Sequence, residues 1–293
     1  MISIAMTTYN GSLYIREQLD SVLAQTVSDF ELIICDDCSI DNTFPIIKEY
    51  EQKDSRIHAY RNTCNLGFKK NFERAISLTS GEFVALCDQD DVWTKNHLDV
   101  LLRGIGEKMI SAGNSDLIDG KGHRIGLTLK QMEALGYYPK DELSRALSFL
   151  LFRNPIQGAA MLIRKDFFMK VLPIPDGVNY HDAWFSIFSC FWGGMNYTDE
   201  IVNEYRMHDN NVTGHRVHAK SRFRYYLRSI KHDLSYDRAA MIRSIVDRLD
   251  NPTEKQLQVL NKCEFIIKRN NTLLGRINNA LFRGLHFKTI YTI

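Results

Sequence analysis

Apolar residues fall in short runs separated by polar clusters. Ile2–Met6, Phe30–Cys35 (FELIIC) and Phe83–Cys87 (FVALC) are nearly continuous apolar stretches. Such runs suit strands covered on both faces. Between them the spacing turns helical. From Leu13 to Gln25, the residues Leu13, Leu19, Val22 and Leu23 share one side, with Ser12 as an N-cap. Further helices are predicted from Thr43 to about Gln52, over Phe68–Leu78 and over Lys95–Gly104, with a short strand at Ile57–Tyr60. Strands alternating with helices at this spacing predict an α/β fold with a mostly parallel, doubly wound sheet.

From Glu107 to Gly126 the pattern breaks into Gly, Asn, Asp and Ser, which predicts a long irregular excursion. Short helical patterns follow at Leu129–Leu135 and Glu142–Phe152, then a strand at Gly158–Arg164 and a helix at Asp166–Val171. Pro173, Pro175 and Gly177 form a turn that delivers His181 and Asp182. Ile201–Met207 reads as a last strand leading to His208. Beyond Gly214 the chain is helical and basic, with Pro252 opening a final helix.

Charge divides the 293 residues in the same place. Residues 216–293 carry 16 Lys and Arg against 6 Asp and Glu, a balance of +10; residues 1–215 carry 21 against 29, a balance of −8. The expected organisation is a catalytic domain over 1–215, its first part about 1–106 and its second about 107–215, followed by a basic helical extension over 216–293. An acidic body with a basic, aromatic tail suggests peripheral contact with anionic lipid at the inner face of a membrane. A helical cap on the domain is the plainer reading. The six cysteines have no framework spacing, and the lone CxxC at Cys35 and Cys38 lacks the second pair a zinc site needs, so a reducing, cytoplasmic setting is expected. No leader and no transmembrane span are expected: the uncharged run from Ala183 is broken by Gly193, Gly194 and Asn196.

The chemistry gathers at strand ends, where open α/β sheets bind ligands. The strand at Glu82–Cys87 ends in Asp88, Gln89, Asp90 and Asp91. Carboxylates so crowded repel unless a cation sits among them, and hard divalent cations take a few carboxylates plus substrate phosphates. A solvated acidic turn capping the next helix is the alternative. A second acidic pair, Asp36 and Asp37, ends the preceding strand beside the Thr8–Tyr9–Asn10 loop, and a third acid is Asp182. An Asp in such a loop can accept from an imide N–H or a ribose hydroxyl.

Taken in order, TTYNG, ICDDCSIDNT, GEFVALCDQDDVW, HDAWF and YRMHDNNVTG resemble the inverting family 2 glycosyltransferases of GT-A fold, in their bacterial rhamnosyltransferase-like branch. The resemblance covers roughly residues 1–215. It implies transfer of a sugar from a UDP- or dTDP-sugar to an acceptor hydroxyl of a growing bacterial surface glycan, assisted by Mn²⁺ or Mg²⁺. The acceptor would be a saccharide, carried on a lipid where the tail meets a membrane; no nucleic acid is expected as partner. Asp37 would face the pyrimidine, helped by Thr8, Tyr9 and Asn10. Asp90 would bind the metal, with Asp88 serving ribose or the metal and His208 completing the shell. Asp182 falls where the family places its base. Asp91, His181, Trp184 and Arg206 are candidate donor or acceptor contacts, Trp184 as a stacking wall and Arg206 as a phosphate partner. His181 departs from the Glu the family often carries there.

Two other classes fit less well. A phospho-acceptor signalling domain would share the acids but is much shorter. A non-catalytic nucleotide or sugar binder would keep Asp37 without needing Asp182.

Overall fold

The computed structural model describes residues 1–132, 141–151, 156–208 and 235–270. The first half alternates as expected: β1 (Ile2–Thr8), α1 (Ile15–Leu23), β2 (Phe30–Asp36), α2 (Thr43–Glu51), β3 (Ile57–Arg61), α3 (Phe68–Ser77) and β4 (Phe83–Asp88). After β5 (Val92–Trp93) and α4 (His97–Ile105) come β6 (Ile110–Asp119), β7 (Arg124–Thr128), α5 (Leu129–Met132) and α6 (Glu142–Leu151). A 3₁₀ turn at Gly158–Ala160 leads into β8 (Met161–Arg164), then α7 (Phe167–Val171), α8 (His181–Ser189) and β9 (Met195–Met207). Two helices close the described chain, α9 (Ser235–Arg248) and α10 (Glu254–Asn270).

One sheet runs through the molecule in the order β3-β2-β1-β4-β8-β6-β9-β5, with β7 paired to β6. The β3-β2-β1-β4 half is parallel; β8 then runs antiparallel to both β4 and β6, while β6 and β9 are parallel. Side chains alternate across this sheet, so each strand feeds two cores. Ala5, Ile33, Cys35, Val84, Leu86, Met161 and Ile163 face a layer built from α3, α6, α7, α8, α9 and α10. Ile4, Met6, Leu32, Ile34, Ala85, Cys87 and Leu162 face α1, α2 and α4. Burial on both faces is why these strands read as unbroken apolar runs.

The structure corrects the sequence reading in three places. Residues 107–126 hold a ten-residue strand, β6, not an irregular excursion. Its small and polar residues are there because the strand is central: Ser111 and Ser115 are buried, and a Cβ on Gly113 would lie 2.6 Å from Val202 on β9. The last strand is longer than Ile201–Met207, since β9 starts at Met195 and pairs with β6 through an irregular register. Ser12 does not cap α1; the helix begins after Tyr14, and the Ser12 N–H donates to Asp41.

The described part of the basic extension is docked on the domain. Met241, Ile242, Ile245, Leu260 and Cys263 are buried in the core that holds α6 and α8. Arg238 donates to the carbonyl of Phe149, Arg248 to those of Val171 and Pro173, and Gln256 to that of Phe191. The aromatic segment Phe223–Leu227 lies outside the described residues. Among the described residues no helix is long and apolar enough to cross a membrane.

Candidate active site

The carboxyl ends of β1, β2 and β4 lie side by side, because Thr8 is in register with Asp36 and Thr7 with Asp88. The loops that leave these strands interlock. Thr8 Oγ1 donates to buried Asp36, which also accepts from the Ser39 N–H and hydroxyl. The Asn10 N–H donates to Ser39 Oγ, the Ile40 N–H to Asn10 Oδ1, and the Gly11 N–H to Thr43 Oγ1. Asn10 and Cys38 take left-handed backbone angles, φ 49° and 65°. Asp36 is therefore internal scaffolding. Tyr9 remains half-exposed at the rim.

Asp37 is buried and engaged. Its Oδ1 accepts from Asn62 Nδ2 at 2.6 Å and the Leu66 N–H at 2.8 Å, and its Oδ2 from the Gly67 N–H at 2.9 Å. It thereby holds the 62–67 loop against the end of β2.

The three acids after β4 separate sharply. No described residue donates a hydrogen bond to the half-buried Asp88 carboxylate. Burial, and then the charges of Asp91, Asp90 and Asp182, push its pKa well above the usual carboxylate range. Asp90 pairs with His208, whose Nε2 lies 2.9 Å from Oδ2; the imidazole stacks on Tyr14 with centroids 4.9 Å apart. Asp91 points away into the protein and is fully buried. It accepts from Gln157 Nε2 at 2.6 Å, Asn203 Nδ2 at 2.8 Å and the Arg206 N–H at 3.0 Å. Burial and the nearby Asp90 charge lift its pKa to about 7 despite those donors.

Asp182 sits in the first turn of α8, and its charge bears on Asp88. Burial raises its pKa to about 6, against the pull of the Ala183 N–H that it accepts at 2.6 Å.

Several candidates named from sequence do other work. Trp184 is fully buried, donates its indole N–H to the Val171 carbonyl and packs on Phe188; it is core, not a sugar-stacking wall. The Arg206 guanidinium is 1% exposed, donates to the Asp90 carbonyl and to Glu17, and lies over Tyr14. The guanidinium is thus buried and committed to protein partners. His181 is sealed among Phe68, Phe72 and Phe185, with neither ring nitrogen hydrogen-bonded. Burial holds its pKa down to about 4, which makes it a neutral packing residue in place of an alternative base. Gln157 and Asn203 escaped the sequence reading, since nothing local marks a buried amide whose partner, Asp91, lies far away in the chain.

Among the described residues, no three His, Cys, Asp or Glu side chains converge as a ready-made metal cage. The donor set nonetheless fits a hard divalent cation. Asp88 is a carboxylate with no donor among the described residues and is opposed by like charge, and Asp90 with His208 stands beside it. Sites of this kind are completed by substrate phosphate and water.

Comparison with known proteins bears on the fold and the family. A putative teichuronic acid biosynthesis glycosyltransferase of Bacillus subtilis, TuaG, is 27% identical over 238 residues, covering 79% of this chain and 88% of its own. The chain spans 66% of the length of two rickettsial glycosyltransferases that it matches. The fold superposes on S. aureus TarS in complex with UDP, with a TM-score of 0.59 at 17% identity over 92% of this chain and 71% of that one. It also superposes on the mannosyltransferase PcManGT of Pyrobaculum calidifontis in complex with GDP-Man and Mn²⁺, with a TM-score of 0.60 at 15% identity over 97% and 74%. These neighbours give the GT-A glycosyltransferase fold. Residues 3–171, more than half of the chain, match the profile of glycosyl transferase family 2, and the chain belongs to that family.

Proposed function

We propose that this chain transfers a hexose from a UDP- or dTDP-sugar to an acceptor hydroxyl of a bacterial surface glycan, with inversion and with the help of Mn²⁺ or Mg²⁺. The observation that carries this reading is the bare Asp88 carboxylate. It is half-buried, without a hydrogen-bond donor among the described residues, and faces the charges of Asp91, Asp90 and Asp182 across the strand ends. Such a cluster is costly unless a cation and its phosphates fill it.

The nucleoside end lies against Thr8, Tyr9, Asn10 and Asp37, and the diphosphate end against Asp88 and Asp90. Asp90, Asp88 and His208 would hold the metal, which when bound stabilises negative charge on the departing diphosphate. Asp182 takes the proton from the acceptor oxygen as that oxygen attacks the anomeric carbon. Attack on the face opposite the leaving group inverts the anomeric centre, and no protein nucleophile is needed. The teichuronic acid relative supports a surface-glycan acceptor, and the UDP complex of TarS supports a uridine nucleotide.

The basic extension suggests that the acceptor is presented at an anionic membrane. Its described helices cap the domain, so lipid contact would rest on the residues around 216–231. Flotation with anionic liposomes at moderate salt tests this; a full-length protein left at the bottom of the gradient removes it.

The test of the main reading is a panel of nucleotide sugars with and without Mn²⁺, followed by NMR of the product anomer. Undiminished turnover in excess EDTA rules out the metal, and retained configuration rules out single displacement.

A further inference from the structure

Gln89 stands between the two acids of the candidate metal motif, and its side chain leaves them. The amide turns back onto the β1 loop. Its Oε1 accepts from the Tyr9 N–H at 2.8 Å and its Nε2 donates to the Tyr9 carbonyl at 3.0 Å. A side-chain amide that meets both backbone groups of one residue imitates a neighbouring strand. It adds a rung just past the last β1–β4 pair, Thr7 with Asp88.

A second feature fits the first. Gln89 lies over Gly11 so closely that a Cβ there would overlap Oε1 and Cδ of the amide. Gly11 has no left-handed angle to explain it, so the space itself accounts for the glycine. The Tyr9–Gly11 loop is separately tied to the β2 loop through Ser39, Ile40 and Thr43. The nucleoside end of the site is thus one interlocked unit. Gln89 is the side chain of the acid loop that reaches back to the Tyr9 backbone of this unit.

We propose that Gln89 is a positioning residue that fixes the separation of the nucleoside end from the diphosphate–metal end, so that a nucleoside diphosphate gains from both at once. This rests on the nucleotide-sugar reading given above. Without the clamp the strands stay paired through Thr7 and Asp88, but the Tyr9–Gly11 loop is no longer held to the acid loop at one spacing. The loss falls on ligands that span them.

Calorimetry on the full chain tests this with uridine alone and with UDP plus Mn²⁺. In Gln89→Ala we expect UDP affinity in Mn²⁺ to fall about tenfold, the loss of one or two net hydrogen bonds, while uridine affinity stays at the wild-type value. The donor KM should rise by a similar factor with kcat nearly unchanged, a split that general unfolding would not produce. Gly11→Ala should expel the amide and give the same defect. In the double variant the two losses should not add, because one contact is removed twice. A Gln89→Ala protein that binds UDP as tightly as wild type overturns the clamp alone, as do losses that add. A wild-type protein that binds neither uridine nor UDP overturns the nucleotide-sugar reading and the clamp with it.

Discussion

His208 Nε2 lies 2.9 Å from Oδ2 of Asp90, joining the first residue after β9 to the acid loop after β4. The imidazole is fixed from behind by Tyr14, and Arg206 touches the same ring. The pair places a nitrogen ligand or orienting group beside a carboxylate, as metal sites commonly do. In the proposed metal site, removing Asp90 would delete a ligand, and removing His208 would delete either a ligand or what aims one. Asp90→Ala should therefore abolish the metal dependence of nucleotide-sugar binding. His208→Ala should weaken Mn²⁺ binding about 10- to 100-fold. Titration of free Mn²⁺ by EPR in the presence of UDP measures both, and unchanged Mn²⁺ affinity in His208→Ala would take the histidine out of the site.

Asp37 has one observed duty, holding the 62–67 loop, and one proposed duty, nucleotide binding, and a single substitution tests both. Its carboxylate is the acceptor for Asn62 Nδ2 and the N–H groups of Leu66 and Gly67. Asp37→Ala leaves these donors unsatisfied at a buried site, at about 1–3 kcal/mol. We expect both a lowered melting temperature and weaker UDP binding. A folded Asp37→Ala protein with wild-type UDP affinity would restrict Asp37 to holding the loop.

Asp91 should behave differently from its neighbours. It sits in a buried knot with Gln157 and Asn203, and Gln157 also accepts from Ser115 on β6. Asp91→Ala strands two amides and the Arg206 N–H, so a stability loss of about 2–4 kcal/mol is expected. Urea unfolding reads this directly. An Asp91→Ala protein of wild-type stability but no activity would mean that the carboxylate faces substrate after all.

How far the sequence goes is visible in these acids. The strands are legible because burial on both faces leaves unbroken apolar runs, and the acids at their ends mark the site. What Asp88, Asp90 and Asp91 each do is not legible, because adjacent positions on a turn point in different directions. The partners that bury Asp91 lie 66 and 112 positions away. Trp184 and Arg206 look like binding residues for a similar reason, since only the packed structure shows their polar atoms already satisfied. β6 is hidden by its own composition: small polar residues read as a loop until Val202 and Gln157 are seen against Gly113 and Ser115. The docked helices α9 and α10 are legible as helices, but not their place on the core.

As the proposed base, Asp182 would bring stability and catalysis into opposition. Its pKa is raised to about 6, chiefly by burial, from an unperturbed value near 4. The folded protein therefore holds this proton more tightly than the unfolded chain does. Between roughly pH 4 and 6 the folded state binds more protons, so this group's contribution to stability declines as pH rises through that window. Above it the buried carboxylate is a standing cost of about 1–2 kcal/mol, allowing for its partial exposure. Asp182→Asn removes that cost while keeping the shape. At pH 7 the variant should melt higher than wild type, and the gap should close as the pH is lowered towards 4. Its transfer rate should fall about 10²–10⁴-fold, as expected when a general base is lost, with donor binding retained. In the wild type the same ionisation should make kcat rise with pH through about 6 and then level off. Parallel melting and pH–rate profiles measure both sides. An Asp182→Asn protein that turns over at the wild-type rate would place the base elsewhere, and sealed, neutral His181 could not replace it.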